Sequence, residues 1–164
     1  MSERETLDGG ATRGPTRFPW PPVLLIGAVA AAMTLTTSYP LPWPGMDDSP
    51  AHWVGLGFGA LGILLAGFGI WALMRAGTTV LPDVAATHLV TSGPYVRFRN
   101  PIYLGEVLIL LGTAEITKSI WFVVAGLVFA VLITVLQIIP EERHLEETFG
   151  EAYLDYKSRS RRWI

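Results

Sequence analysis

Long apolar runs without a single acidic residue, lysine or arginine constrain this chain more than any other feature. Pro22 to Ser38, Ala51 to Met74 and Ile120 to Ile139 are such runs. Each approaches or exceeds the ~20 helical residues that cross a hydrocarbon core of ~30 Å. A shorter run, Ile102 to Ala114, carries only Glu106. The fold class expected is all-α and polytopic. About four transmembrane helices should lie near residues 22–38, 51–74, 102–114 and 120–139. The first run is too long for the core of a signal peptide and ends in Tyr39-Pro-Leu-Pro-Trp-Pro, with no small-x-small cleavage pattern.

Around these runs lie a polar leader over residues 1–19, read as disordered, and a single domain over 20–164. From Glu141 the pattern changes. Leu145, Phe149, Tyr153 and Tyr156 recur at helical spacing, which predicts an amphipathic helix over 141–157. Pro140 should kink the preceding helix or start a new one, and Glu115 to Ser119 should be the turn of a tight hairpin. The connection from Tyr39 to Pro50 carries Asp47 and Asp48 and no lysine or arginine, and Trp43 and Trp53 near it suit an interfacial belt. Arg75, Arg97 and Arg99 lie on the next connection, and Lys157, Arg159, Arg161 and Arg162 close the chain. Positive residues collect on the cytoplasmic side. Both termini and the Arg75–Asn100 connection are therefore expected in the cytoplasm, in a bacterial inner membrane, with Lys118 the exception. Gly55 and Gly59, four apart, stack on one face of the second helix, which suits close packing against another helix or homo-oligomerisation.

The absence of cysteine excludes disulfides, thiolate metal sites and cysteine nucleophiles together. His52, His88 and His144 are far apart and form no local zinc signature, so no metal site is expected. Phosphate loops and Gly-x-Ser-x-Gly are missing, and only a short basic tail speaks for nucleic acid. Chemistry must come from polar residues at the membrane lip. The stretch Thr91 to Gly105 gathers Gly93, Pro94, Tyr95, Arg97, Arg99, Asn100, Pro101 and Tyr103 there. Arg99 is either a snorkelling anchor or a guanidinium that orients a carboxylate. Glu106, three residues after Tyr103 on the same helical face, is either structural or functional, since an ionisable residue inside a membrane is expensive. Glu141-Glu142 either starts a helix or recognises a cationic group.

In order and spacing, Leu89-Val-Thr-Ser-Gly-Pro-Tyr, Arg99-Asn-Pro-Ile-Tyr-Leu-Gly, the hydrophobic hairpin, Glu141-Glu-x-x-Leu, Phe149-Gly, Tyr153-x-x-Tyr156 and the arginine-rich end resemble one family. It is that of the isoprenylcysteine carboxyl methyltransferases and phospholipid N-methyltransferases. The resemblance covers nearly half the chain and implies an integral membrane methyltransferase using S-adenosylmethionine. It further implies that His88, Leu89, Val90, Gly93, Tyr95, Asn100, Pro101 and Tyr103 line the cofactor, and that Glu141 or Glu142 holds its α-amino group. Arg99, Glu106 and Arg159 are the catalytic candidates near the acceptor. The acceptor would be a lipophilic or small molecule (a carboxylate, amine or thiol) entering sideways from the membrane lipids, with the cofactor taken from the cytoplasm. Asn100 departs from the histidine of better-known eukaryotic members and cannot titrate near neutrality. Two alternatives stand beside this reading: an NADPH-dependent membrane reductase of the sterol type, suggested by Gly105-Glu106, and a non-enzymatic membrane scaffold.

Overall fold

The computed structural model describes residues 18–41, 49–78 and 88–164. The leader and most of the Pro-rich interfacial link, with Asp47 and Asp48, lie outside the described residues. Apart from isolated bridge residues, among them Phe98 paired with Arg161, the described residues form no β structure. The helices are α1 (Trp20–Ser38), α2 (Ser49–Arg75), α3 (Pro101–Thr117), α4 (Ile120–Ile133), α5 (Ile139–Phe149) and α6 (Glu151–Arg159). A 3₁₀ turn at Gly93–Val96 precedes α3, and a π-helical turn at Thr134–Ile138 joins α4 to α5.

Among the described residues, three helices are long and apolar enough to cross a membrane: Trp20–Ser38, His52–Arg75 and the continuous helix Ile120–Phe149. Their outward faces expose large apolar side chains such as Ile26, Met33, Ile63, Phe68 and Val131, as lipid contact requires. With 17 residues, α3 is shorter. At 1.5 Å per residue it reaches about 26 Å, and it sits between α2 and α4. The chain is an integral membrane protein.

Glycines set how closely α2 and α3 approach. A Cβ on Gly62 would stand 2.6 Å from the Gly105 carbonyl oxygen, and one on Gly105 would stand 2.6 Å from that of Gly62. Gly59 meets Gly112 in the same way one stripe further along, and Gly69 meets Ile102. Backbones this close leave no room for side chains, which is the usual use of small residues between membrane helices. The Gly55–Gly59 face is therefore occupied by α3 of the same chain. On α4, α1 packs antiparallel. Thr36 and Ser119 share a hydrogen bond of 2.7 Å, and Trp121 donates its indole N–H to the Tyr39 carbonyl at 2.7 Å. Leu110, Ala114, Phe122, Phe129, Ile133 and Ile138 form the core between α1, α3 and α4.

The helix boundaries differ from expectation in places, each for a physical reason. Glu115 belongs to α3 and not to the hairpin: its side chain is 3% exposed. It bonds both His52 of α2, at 3.2 Å, and Lys118. The turn shrinks to Lys118 and Ser119, with Lys118 in the left-handed region at φ 53°. Pro140 lies in the first turn of α5, which the π turn joins to α4 without a break in the helix. It lacks an N–H and crowds the carbonyl four residues back, and the π turn just before it supplies the looser winding that absorbs both. The amphipathic helix expected over 141–157 breaks at Gly150, whose φ of 52° divides it into α5 and α6.

Candidate functional site

The site is built at the end where α2 finishes and α3 begins. The segment 88–100 crosses the end of α2 and turns at Gly93. There φ is +61°, a conformation that glycine tolerates, and an added Cβ would lie 3.7 Å from Ala72. Pro94 opens the 3₁₀ turn, and Tyr95 falls into the interior. Tyr156 of α6 donates its hydroxyl to the Tyr95 carbonyl at 2.8 Å, fixing the loop to the C-terminal helices. Burial pushes the Tyr95 phenol well up from its ordinary range, and it pushes Tyr156 up to about 12. Both are therefore neutral at physiological pH.

Arg99 is the hub. Its guanidinium donates to Glu142 at 3.1 Å and to the carbonyls of Lys157 and Ser160 at 3.1 and 2.6 Å. Arg162 clamps the same carboxylate, Nε to Oε1 at 3.0 Å and the terminal nitrogen to Oε2 at 2.6 Å. Hydrogen bonding to Glu142 pushes the Arg162 guanidinium further up, so it stays charged. Asn100, buried, donates its amide to the Arg162 carbonyl at 3.1 Å. Asparagine at this position thus serves as an anchor for the C-terminal tail, a role for which titration is irrelevant.

Glu141 has a different environment. Adjacent helical residues point about 100° apart, so when Glu142 faces the arginines Glu141 faces inward. The Tyr103 hydroxyl and the Gln137 amide lie near enough to its carboxylate to act on it. Gln137 is fully buried one turn earlier, in the π turn. Glu106 lies close enough to Tyr103 to act on it electrostatically. The two carboxylates share a further property: Glu141 Oε2 and Glu106 Oε2 are both buried with no hydrogen-bond partner among the described residues. Buried polar atoms are nearly always satisfied. Two orphaned carboxylate oxygens in one cluster form a donor set that suits cationic groups of a ligand.

The structure therefore brings Tyr95, Arg99, Asn100, Pro101, Tyr103, Glu106, Glu141 and Glu142 to one end of the bundle. The Arg159 side chain does not join them. That side chain is 68% exposed on α6 and pairs with Asp155 one turn back. His88 is exposed at the start of the loop, and Leu89 and Val90 are half-buried. Among the described residues no group of His, Asp and Glu could hold a metal ion. Sequence reasoning passed over Gln137, Arg162 and His144. A single polar side chain inside an otherwise apolar run was the available signal for Gln137. Arg162 looked like one more basic tail residue. His144, one turn after Glu141, has a buried Nε2 without a partner.

Two comparisons with known proteins bear on this arrangement. An uncharacterized protein of Haemophilus influenzae is 40% identical over 65 residues, 38% of this chain and 100% of that protein. A family profile described as phospholipid methyltransferase matches residues 50–152, which run from the start of α2 through α3, α4 and α5 into α6. That match takes in most of the chain, including the loop, Tyr103, Glu106 and the Glu141–Glu142 pair, and the chain belongs to the phospholipid methyltransferase family.

Proposed function

We propose that the protein transfers a methyl group from S-adenosylmethionine to a nitrogen of a lipophilic acceptor at the cytoplasmic face of the membrane. The observation that carries this reading is the pair of buried, unpartnered carboxylate oxygens on Glu141 and Glu106 beside Tyr103. Two unpartnered carboxylates beside the same tyrosine ask for two positive groups. One would be the ammonium of the methyl donor and the other the protonated amine of the acceptor. A carboxylate acceptor would meet Glu106 as a like charge, at a cost that rises with burial.

Glu141 would hold the donor's ammonium, steadied by Tyr103 and Gln137. The rings of Tyr95 and Tyr103 would offer their faces to its positive charge. When bound, the donor supplies an electrophilic methyl on a cationic sulfur, and methyl transfer is an in-line displacement governed by proximity and orientation. Glu106 can take the proton that an amine must lose to become a nucleophile. Arg99 is already bound to Glu142 and two carbonyls, so its part is to hold the loop.

The test is incubation of membranes with methyl-labelled donor, followed by lipid extraction and separation by headgroup class. Label in an aminolipid supports the reading. Label as a base-labile methyl ester or on a thiol would replace the nitrogen acceptor. Absence of transfer together with NADPH binding would favour the reductase. Glu106→Gln should lower turnover by about 10²–10⁴-fold, the usual worth of a general base, while donor affinity changes far less.

A further inference from the structure

Beyond α6, residues 160–164 run as a strap across the loop rather than trailing away. The Arg99 N–H donates to the Arg161 carbonyl at 2.7 Å, and the Arg161 N–H donates to the Arg97 carbonyl at 2.9 Å. Asn100 holds the Arg162 carbonyl, and Trp163 packs against the apolar core. Between these attachments Arg162 reaches Glu142 with both arms of its guanidinium. Glu142 is 8% exposed on its side chain, and its oxygens are taken by Arg99 and Arg162.

A buried ion pair is a poor way to stabilise a fold, because apolar residues of similar volume often do as well or better. Directed hydrogen bonds fix orientation instead. Because Glu141 immediately precedes Glu142 on the same turn, gripping Glu142 from both sides sets the rotation of α5 and hence the direction of Glu141. We propose that Arg162 is a positioning residue of the methyl-donor site. Through Glu142 it locks the strap over the loop and holds Glu141 against Tyr103 in the orientation that receives the donor. The inference rests on the donor reading above and assigns its C-terminal latch.

The experiment is calorimetric titration of the detergent-solubilised full chain with S-adenosylhomocysteine, using wild type, Arg162→Ala, Arg162→Lys, Glu142→Gln and the Arg162→Ala/Glu142→Gln double variant. Arg162→Ala should weaken binding by roughly tenfold, within the usual range of coupling between linked sites. The Michaelis constant for the donor should rise more than turnover falls. Arg162→Lys should recover part of the loss, since lysine keeps the charge but not the bidentate grip. In the double variant the losses should be much less than multiplicative, because both changes open one latch. Unchanged affinity in Arg162→Ala, or fully multiplicative losses, would overturn the latch. A drop in melting temperature with unchanged affinity would overturn it too. If Arg162→Ala does not fold, the same coupling is read between Arg162→Lys and Glu142→Gln. Wild type that binds while all variants bind equally sinks only the latch. Wild type that fails to bind sinks the donor reading and the latch with it.

Discussion

Glu141 and Glu142 are neighbours in sequence with opposite circumstances, and their substitutions should separate accordingly. Glu142 sits between two guanidiniums, so Glu142→Gln leaves the largely buried Arg99 and the part-exposed Arg162 short of a counter-charge. Breaking such a pair should cost about 2–4 kcal/mol of stability, read as a lower melting temperature. Glu141 carries a desolvated oxygen with no partner. Glu141→Gln should therefore fold as well as wild type or better, yet weaken donor binding by roughly 10–100-fold, the worth of one charge-assisted hydrogen bond. If Glu141→Gln lowered the melting temperature and Glu142→Gln did not, the assignment would be reversed. Tyr156→Phe removes one buried hydrogen bond to the loop and should cost about 1 kcal/mol in the same thermal assay. The residue types of the site were legible in the sequence, but their division of labour was not. Which of two adjacent glutamates faces inward depends on helical phase, and the π turn at Thr134–Ile138 sets that phase. No local pattern announced that turn, whereas Gln137, a lone amide inside an apolar run, was a legible signal.

At the scale of elements, the glycines divide into those that are used and those that are not. Gly105 and Gly62 face each other's carbonyls, whereas nothing lies within 4 Å of a Cβ added to Gly57 or Gly67. Gly105→Ala should push α2 and α3 apart and destabilise the bundle by about 1–3 kcal/mol, as overpacking does. Gly57→Ala should be neutral or slightly stabilising, since alanine is the better helix former. Thermal melts in one detergent compare the two directly, and equal effects would refute this packing. Four-residue spacing marked Gly55 and Gly59 as a packing face without naming the partner. α3 proves to be that partner, and an oligomer built through α2 would need its other face. Helix ends were harder to read. Glu115 looked like a turn residue because it is charged, and His52 and Lys118 are what let it lie buried in α3.

At the scale of the whole molecule, apolar blocks predicted an all-helical membrane bundle, and order and spacing predicted the family. The closing of the site by the C-terminal strap was not legible. Arginines there were read as charge, and the hydrogen bonds that the backbone of Arg161 and Arg162 makes with a loop more than sixty residues earlier depend on tertiary structure. The orientation proposed, with the site end in the cytoplasm, follows from the distribution of lysine and arginine. Because the chain has no cysteine, single cysteines report on it cleanly. Glu151→Cys, exposed on α6, should react with an impermeant maleimide only after the cells are opened, and Thr117→Cys, exposed at the opposite end of α3, should react in intact cells. The reverse pattern would invert the topology. The central claim is that this end of the bundle receives a methyl donor through Glu141. Its most direct test is calorimetry on the detergent-solubilised chain, titrating wild type and Glu141→Gln with S-adenosylhomocysteine and then with NADPH. The account predicts saturable binding of S-adenosylhomocysteine by wild type, weakened in Glu141→Gln, and no response to NADPH. NADPH binding without any response to S-adenosylhomocysteine would contradict it.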